Sequence, residues 1–256
     1  MCAAIVNGLL MKGVCECDNI RVYDINPEKT LMFKKIGVYK TDSIREAAEF
    51  ADYLFLSVRP QNFDEVLDVL KGFDFTNKTI VTIAAGISMG HICDYLGQNV
   101  SVIRVMPNTP MTLGLGAIGI CKNESVSDET LNEVIGFFSP LGVVAKFDDE
   151  EKLNSIISLT GSSPAYIYLV IKTMIDWGVE HGFSEKDAKE LVCAAVSGSA
   201  ELLRTSELSP EELISGVCSH GGTTIVAVDH LRSMNFDKAL SEAMDKCYDR
   251  AKELSK

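Results

Sequence analysis

The stretch Ser219-His220-Gly221-Gly222-Thr223-Thr224, followed by the apolar run Ile225-Val226-Ala227-Val228, has the residue types needed to hold an anion. Two glycines let backbone approach a ligand. The threonines follow at the first turn of an expected helix, where unpaired N–H groups and the positive dipole end favour a carboxylate. A plain Gly-Gly turn capped by threonine is the other reading. Upstream, Thr160-Gly161-Ser162-Ser163-Pro164-Ala165-Tyr166 opens an apolar helix, and Arg104-Val105-Met106-Pro107-Asn108-Thr109-Pro110 closes a strand. Asn108 and Thr109 are polar, held rigidly between prolines, and placed at the strand end where open α/β sheets bind ligands. The four histidines show no metal spacing. Of eight cysteines only Cys15 and Cys17 are close, and they lack the second ligand pair of a zinc site. Buried thiols are the default reading for such cysteines, Cys218 beside the glycine turn included.

These residues need a scaffold, and the first half supplies alternating strands and helices. Residues 19–24 read as a strand ending in Asp24, with Pro27 opening a helix that stops near Gly37. Residues 53–58, 79–84 and 100–106 are near-continuous apolar runs, as expected for parallel strands buried on both faces. Ser88 caps the helix between the last two. Residues 117–121, a helix over 128–138 and a strand over 142–147 complete a doubly wound parallel sheet. The acidic run Asp148-Asp149-Glu150-Glu151 marks a change, after which strand patterns vanish. The expected division is a nucleotide-binding domain over 1–149 and an all-helical domain over 150–256.

In the helical part, residues 164–182 are apolar nearly all round, which predicts burial. Ser184 caps a second helix striped by Leu191, Val192, Ala195, Val196, Ala200 and Leu203. Ser209-Pro210-Glu211-Glu212 is a capping box with proline at the first helical position. Such helices without a sheet predict a dimer that covers the apolar faces. Net charge is −12 with no basic run, which excludes a nucleic-acid surface. No uncharged apolar stretch reaches the roughly 20 residues of a membrane span, and no charged segment precedes an apolar core as in a secretory signal.

In this order and at these spacings, the three segments resemble the pyrroline-5-carboxylate reductases, over nearly the whole chain. The resemblance implies a Rossmann-like domain joined to a helical dimerisation domain, in a cytoplasmic homodimer or ring of dimers. It implies reduction of 1-pyrroline-5-carboxylate to L-proline, the last step of proline biosynthesis, by hydride transfer from NADPH or NADH. Ser219 and the backbone of Gly222 and Thr223 would hold the substrate carboxylate, and Thr224, the catalytic candidate, would face the ring nitrogen. Val58 and Arg59 match a family segment beside the cofactor that usually carries lysine. Ala84, Ala85 and Gly86 would let the nicotinamide ring lie close, with Asn108 and Thr109 near it. Asp24, 22 positions after Cys2, fits a ribose contact that favours NADH, softened by Asn26.

Three positions depart from the family pattern: His220 stands in place of proline, Ser163 in place of glycine, and Gly216 where some relatives have asparagine. The family also carries a first strand and a Gly-x-Gly-x-x-Gly/Ala loop directly before residues 2–10. Met1 aligns just after the second of those glycines, so a nucleotide domain without its first strand is expected. The alternatives are a related imine or β-hydroxyacid reductase, and a non-catalytic dimeric protein that has lost its cofactor loop. β-Hydroxyacid enzymes rely on a helix-borne lysine; Lys172 and Lys189 are the candidates here, though neither follows a glycine-rich helix start.

Overall fold

Local sequence rules set most of the elements seen in the computed structural model, which describes residues 1–254. In chain order they are α1 (Cys2–Met11), β1 (Arg21–Val22), α2 (Pro27–Lys35), β2 (Tyr39–Lys40), α3 (Ile44–Phe50), β3 (Tyr53–Leu56), α4 (Phe63–Leu70), β4 (Thr79–Thr82), α5 (Met89–Leu96) and β5 (Ser101–Met106). Then come β6 (Gly116–Lys122), α6 (Asp128–Phe138), β7 (Gly142–Lys146), α7 (Glu151–Ile156), α8 (Ser163–Glu180), α9 (Glu185–Thr205), α10 (Pro210–Val217), α11 (Thr223–Ser233) and α12 (Phe236–Leu254). Six helix starts are closed by the side chain of the preceding residue: Asn26, Ser43, Ser88, Ser127, Ser184 and Ser209. Each accepts a hydrogen bond from a backbone N–H that the helix leaves unpaired. At Ser209 the Glu212 side chain reciprocates, completing the capping box.

Contacts group the described chain into two units, Met1–Ser162 with the segment from Lys246 onward, and Ser163–Asp245. Residues 150–162 and the end of α12 therefore pack with the nucleotide side, beyond the division expected at 149/150. The reason is a polar anchor: Arg104 of β5 reaches Glu150 and Asn154 at the start of α7.

The first unit holds two sheets. β1 pairs with β2 in parallel, and β3-β4-β5-β6-β7 form a five-stranded sheet. β3, β4 and β5 are parallel, as their two-faced apolar runs predict. The β5–β6 pair is antiparallel and β6–β7 parallel. The expectation of a parallel sheet throughout is corrected there: β5 and β6 are joined through a 3-10 turn over Thr109–Leu113, too short for a parallel crossover. Helix α1 is apolar on two faces and serves both sheets. Its Ile5 and Leu9 join the core around Val81, Ile103 and Val105, while Val6 packs with Val22, Phe33 and Val38.

The second unit is helical. Gly178 of α8 and Ala188 of α9 are its only buried residues, meeting where the two helices pack. The burial expected along 164–182 is not met within one chain: Leu169 is 68 % exposed, and Tyr168 and Trp177 60 % each. Among the described residues no helix is long and apolar enough to cross a membrane.

Candidate active site

The candidate residues fall into two groups, one on each unit. In the first unit, Asp24 follows β1, Ser57, Val58 and Arg59 follow β3, and Ala84, Ala85 and Gly86 follow β4. Asn108 and Thr109 follow β5. All lie at the carboxyl ends of parallel strands, the edge at which open α/β sheets take ligands. Asp24 and Ser57 both come close enough to the Cys2 thiol, at the start of α1, to act on its ionisation. Burial dominates and pushes that thiol upward. The Ser57 hydroxyl is itself buried, facing that thiol. Polar groups gathered at these strand ends suit a polar ligand such as a nucleotide.

Asp24 is not a bare charge. Its Oδ1 accepts from the backbone N–H of Asn26 at 2.9 Å, and its Oδ2 lies 3.5 Å from Lys29 Nζ. Asn26 in turn caps α2 through the Glu28 N–H. Val58 packs on the core, while Arg59 and Thr109 are exposed.

Gly86 has a left-handed backbone with φ of +74°. The space over it is filled from within the unit: a Cβ there would lie 2.8 Å from the Leu254 carbonyl oxygen of α12. The glycine is thus required by α12 and by its φ, a second reason beside room for a ring.

Asn108 is buried, and both ends of its amide are engaged. Its Oδ1 accepts from Ala117 N–H at 2.9 Å and its Nδ2 donates to Thr160 C=O at 3.1 Å. Thr160 belongs to a π-helical turn over Ile157–Gly161, whose wide loop is closed by Ser162 N–H on Ile157 C=O. Asn108 therefore ties the end of β5 to this turn.

Sequence reasoning did not single out the anchor below it. Arg104, 1 % exposed, donates from Nη1 to Glu150 and from Nη2 to Asn154, both at 2.9 Å. Glu150 Oε1 also accepts from the Met89 N–H at the start of α5. Asn154 passes the connection to Glu151. The available signal was an arginine inside an otherwise apolar strand, which is tolerated only when paired.

The second group opens α11. Gly222 N–H donates to Ser219 C=O at 2.9 Å, closing a turn in which Gly221 takes φ of +70°. The Gly222 N–H is thereby spent, and the anion cradle expected there falls to Ser219 and the helix start. His220 sits at the second turn position, which favours proline but does not require it. A Cβ at Gly222 would come 2.4 Å from Ser219 Oγ and 3.1 Å from its carbonyl oxygen, so a side chain there would force the Ser219 hydroxyl to turn away. No side chain caps α11, in contrast to the six capped helices, so Thr223 and Thr224 open it with N–H groups turned outward. Ser219 and Thr223 are exposed and Thr224 half-buried.

Two family models match the chain: "NADP oxidoreductase coenzyme F420-dependent" over residues 1–86 and "Pyrroline-5-carboxylate reductase dimerisation" over 150–254. Among curated relatives, the pyrroline-5-carboxylate reductase of Escherichia coli (strain K12) is 33% identical over 254 residues, covering 99% of this chain and 94% of that one. The same enzyme of Corynebacterium melassecola is 33% identical over 257 residues with the same coverage. Among solved structures, a pyrroline-5-carboxylate reductase from Coxiella burnetii matches with a TM-score of 0.89 at 31% identity, covering 100% of this chain and 95% of its own. Pyrroline carboxylate reductase of Plasmodium falciparum, solved with NADP bound, matches with a TM-score of 0.92 at 25% identity, over 99% of this chain and 94% of its own.

Proposed function

The chain belongs to the pyrroline-5-carboxylate reductase family, and from that premise we propose how its own residues share out the reaction. It is an NAD(P)H-dependent oxidoreductase that reduces 1-pyrroline-5-carboxylate to L-proline. When bound, the reduced cofactor supplies the hydride that the imine carbon accepts. Asp24, Val58 and Arg59 hold the nucleotide at the strand ends, beside the Ser57 hydroxyl. Ala84, Ala85 and Gly86 flank the nicotinamide, and Thr109 borders it. Asn108 contributes by fixing the β5 end through its two internal bonds.

Ser219 and the open N–H groups at the start of α11 receive the substrate carboxylate, where the helix dipole also favours negative charge. The Thr224 hydroxyl oxygen accepts from the protonated ring nitrogen and orients the imine. A hydroxyl is too weak an acid to supply the proton alone, so the imine binds already protonated and catalysis rests on positioning. The observation that carries this reading is the uncapped start of α11 with Thr224 in its first turn. The acting unit is a homodimer, larger rings being built from dimers, with a cytoplasmic location. The test is the purified chain with pyrroline-5-carboxylate: cofactor oxidation matched one-to-one by L-proline supports the reading, and no cofactor binding with no proline sinks it.

A further inference from the structure

The loop from β4 to α5 carries Ala84, Ala85 and Gly86, and it is pinned at both ends. At its start the Ala84 N–H donates to Thr82 Oγ1 at 3.2 Å, inside the core. At its far end α5 begins, and the first N–H groups of a helix have no partner within it. Ser88 takes one of them, the His91 N–H, at 3.0 Å. The Met89 N–H goes instead to Glu150 Oε1 at 2.9 Å, a carboxylate 61 positions further along the chain. The same oxygen accepts from Arg104 Nη1 at 2.9 Å, and Arg104 Nη2 is tied to Asn154. Arg104 is buried and Glu150 is 25% exposed, so the pair holds this oxygen in place against the helix start. A carboxylate there accepts a charge-assisted hydrogen bond at the positive pole of the helix.

We propose that Glu150 is a positioning residue for hydride transfer: by holding the Met89 N–H it fixes where Ala84, Ala85 and Gly86 stand against the nicotinamide ring. This rests on the assignment of those three residues to the nicotinamide subsite. Glu150 acts through the loop, and no proton or electron passes through it. Hydride transfer moves one hydrogen and two electrons from the ring to the imine carbon, so its rate depends on how ring and imine are held. A misplacement of about 1 Å can cost on the order of a hundredfold. Thr82 and Ser88 restrain the loop from its own two ends, whereas Glu150 ties it to the start of α7 and, through Arg104, to β5.

The test compares, by calorimetry on the whole protein, Kd for NADPH with Kd for 2′-phospho-ADP-ribose, which lacks the nicotinamide ring. Glu150→Met removes the acceptor while keeping the length of the side chain. It should raise Kd for NADPH about tenfold, the lower end of what one hydrogen bond to a charged group is worth, and leave 2′-phospho-ADP-ribose unaffected. Its kcat should fall about ten- to a hundredfold. Glu150→Asp keeps the charge beside Arg104 but shortens the reach to Met89, and should show the same split between the two ligands in smaller degree. Glu150→Gln keeps an oxygen for the Met89 N–H and should restore both NADPH affinity and kcat. Gly142→Ala, destabilised at the joint of β6 and β7, should bind both ligands like the parent. Equal loss of both ligands in Glu150→Met, no split in Glu150→Asp, a Glu150→Gln as weak as Glu150→Met, or the same split in Gly142→Ala each overturns the proposal. An Ala85→Leu variant separates the two layers of inference, since a bulky side chain in the subsite should weaken NADPH alone. If Ala85→Leu binds NADPH normally, the loop is not the nicotinamide subsite and the role of Glu150 falls with it. If Ala85→Leu weakens NADPH while the Glu150 variants show no split, the subsite stands and only the role of Glu150 is lost.

Discussion

Thr224→Val removes one hydroxyl from the first turn of α11 while keeping every backbone donor and the shape of the side chain. Losing a hydrogen bond to a charged or charging nitrogen costs about 1.5–3 kcal/mol, so kcat should fall about ten- to a hundredfold with NADPH affinity unchanged. Turnover equal to the parent would remove Thr224 from the mechanism. Asp24 carries a second residue-scale prediction. By itself an acid at this strand end favours NADH, but Lys29 stands 3.5 Å away and offsets the charge that would repel a 2′-phosphate. Lys29→Met should therefore lower kcat/KM for NADPH relative to NADH by about fivefold, the upper range of an exposed pair, and Asp24→Ser should move the ratio the other way. An unchanged ratio in both variants would place these residues away from the ribose. The position of Asp24 could be read from spacing; its compensation could not, because it depends on which way the first turn of α2 points its lysine.

At the scale of elements, two joints hold the first unit in register. Gly142 begins β7 with φ of +153°, and a Cβ there would fall 2.1 Å from the Gly116 carbonyl oxygen of β6. Gly142→Ala should cost about 1–3 kcal/mol from backbone conformation alone, with the clash adding to it. The melting temperature should drop by more than about 4 °C, and an unshifted melt would refute the close approach of β6 and β7. The other joint is Arg104. Arg104→Met leaves Glu150 without its cation, held only by the Met89 N–H, and should destabilise by about 3–5 kcal/mol, whereas Arg104→Met with Glu150→Gln should recover part of that loss. Equal stability of the single and double variants would show that the pair is not coupled. Capped helices were legible here because Ser88, Ser184 and Ser209 act within three residues of themselves. The Arg104 anchor was not, since its partners lie 46 and 50 positions away.

The whole molecule presents a chemical imbalance between its units. The first has a core of buried aliphatic and aromatic side chains, while in the second the largest apolar side chains of α8 and α9 stand open. Exposed apolar area of this extent marks an association surface. Light scattering at micromolar concentration should return twice the chain mass of 27.9 kDa or an even multiple of it. Leu169→Glu and Trp177→Glu, each placing a charge at that surface, should shift the population toward monomer, and a monomeric parent would end the dimer reading. The apolar stripe of residues 164–182 was plain in the sequence, but whether it is covered by its own chain or another's is a matter of tertiary packing.

By itself the sequence determined what local chemistry controls: the order of elements, the caps that start helices, the two-faced strands, and the glycine-hydroxyl stretch that opens α11. These follow from hydrogen bonds and side-chain periodicity spanning a few residues. The tertiary structure alone decided which polar groups remain available. It spent the Gly222 N–H on a turn and both ends of Asn108 on internal bonds, set the Ser57 hydroxyl against the Cys2 thiol, and laid Leu254 over Gly86. Each of those outcomes depends on groups brought together across a folded core. A buried polar atom must find a partner wherever the packing offers one, at whatever distance along the chain.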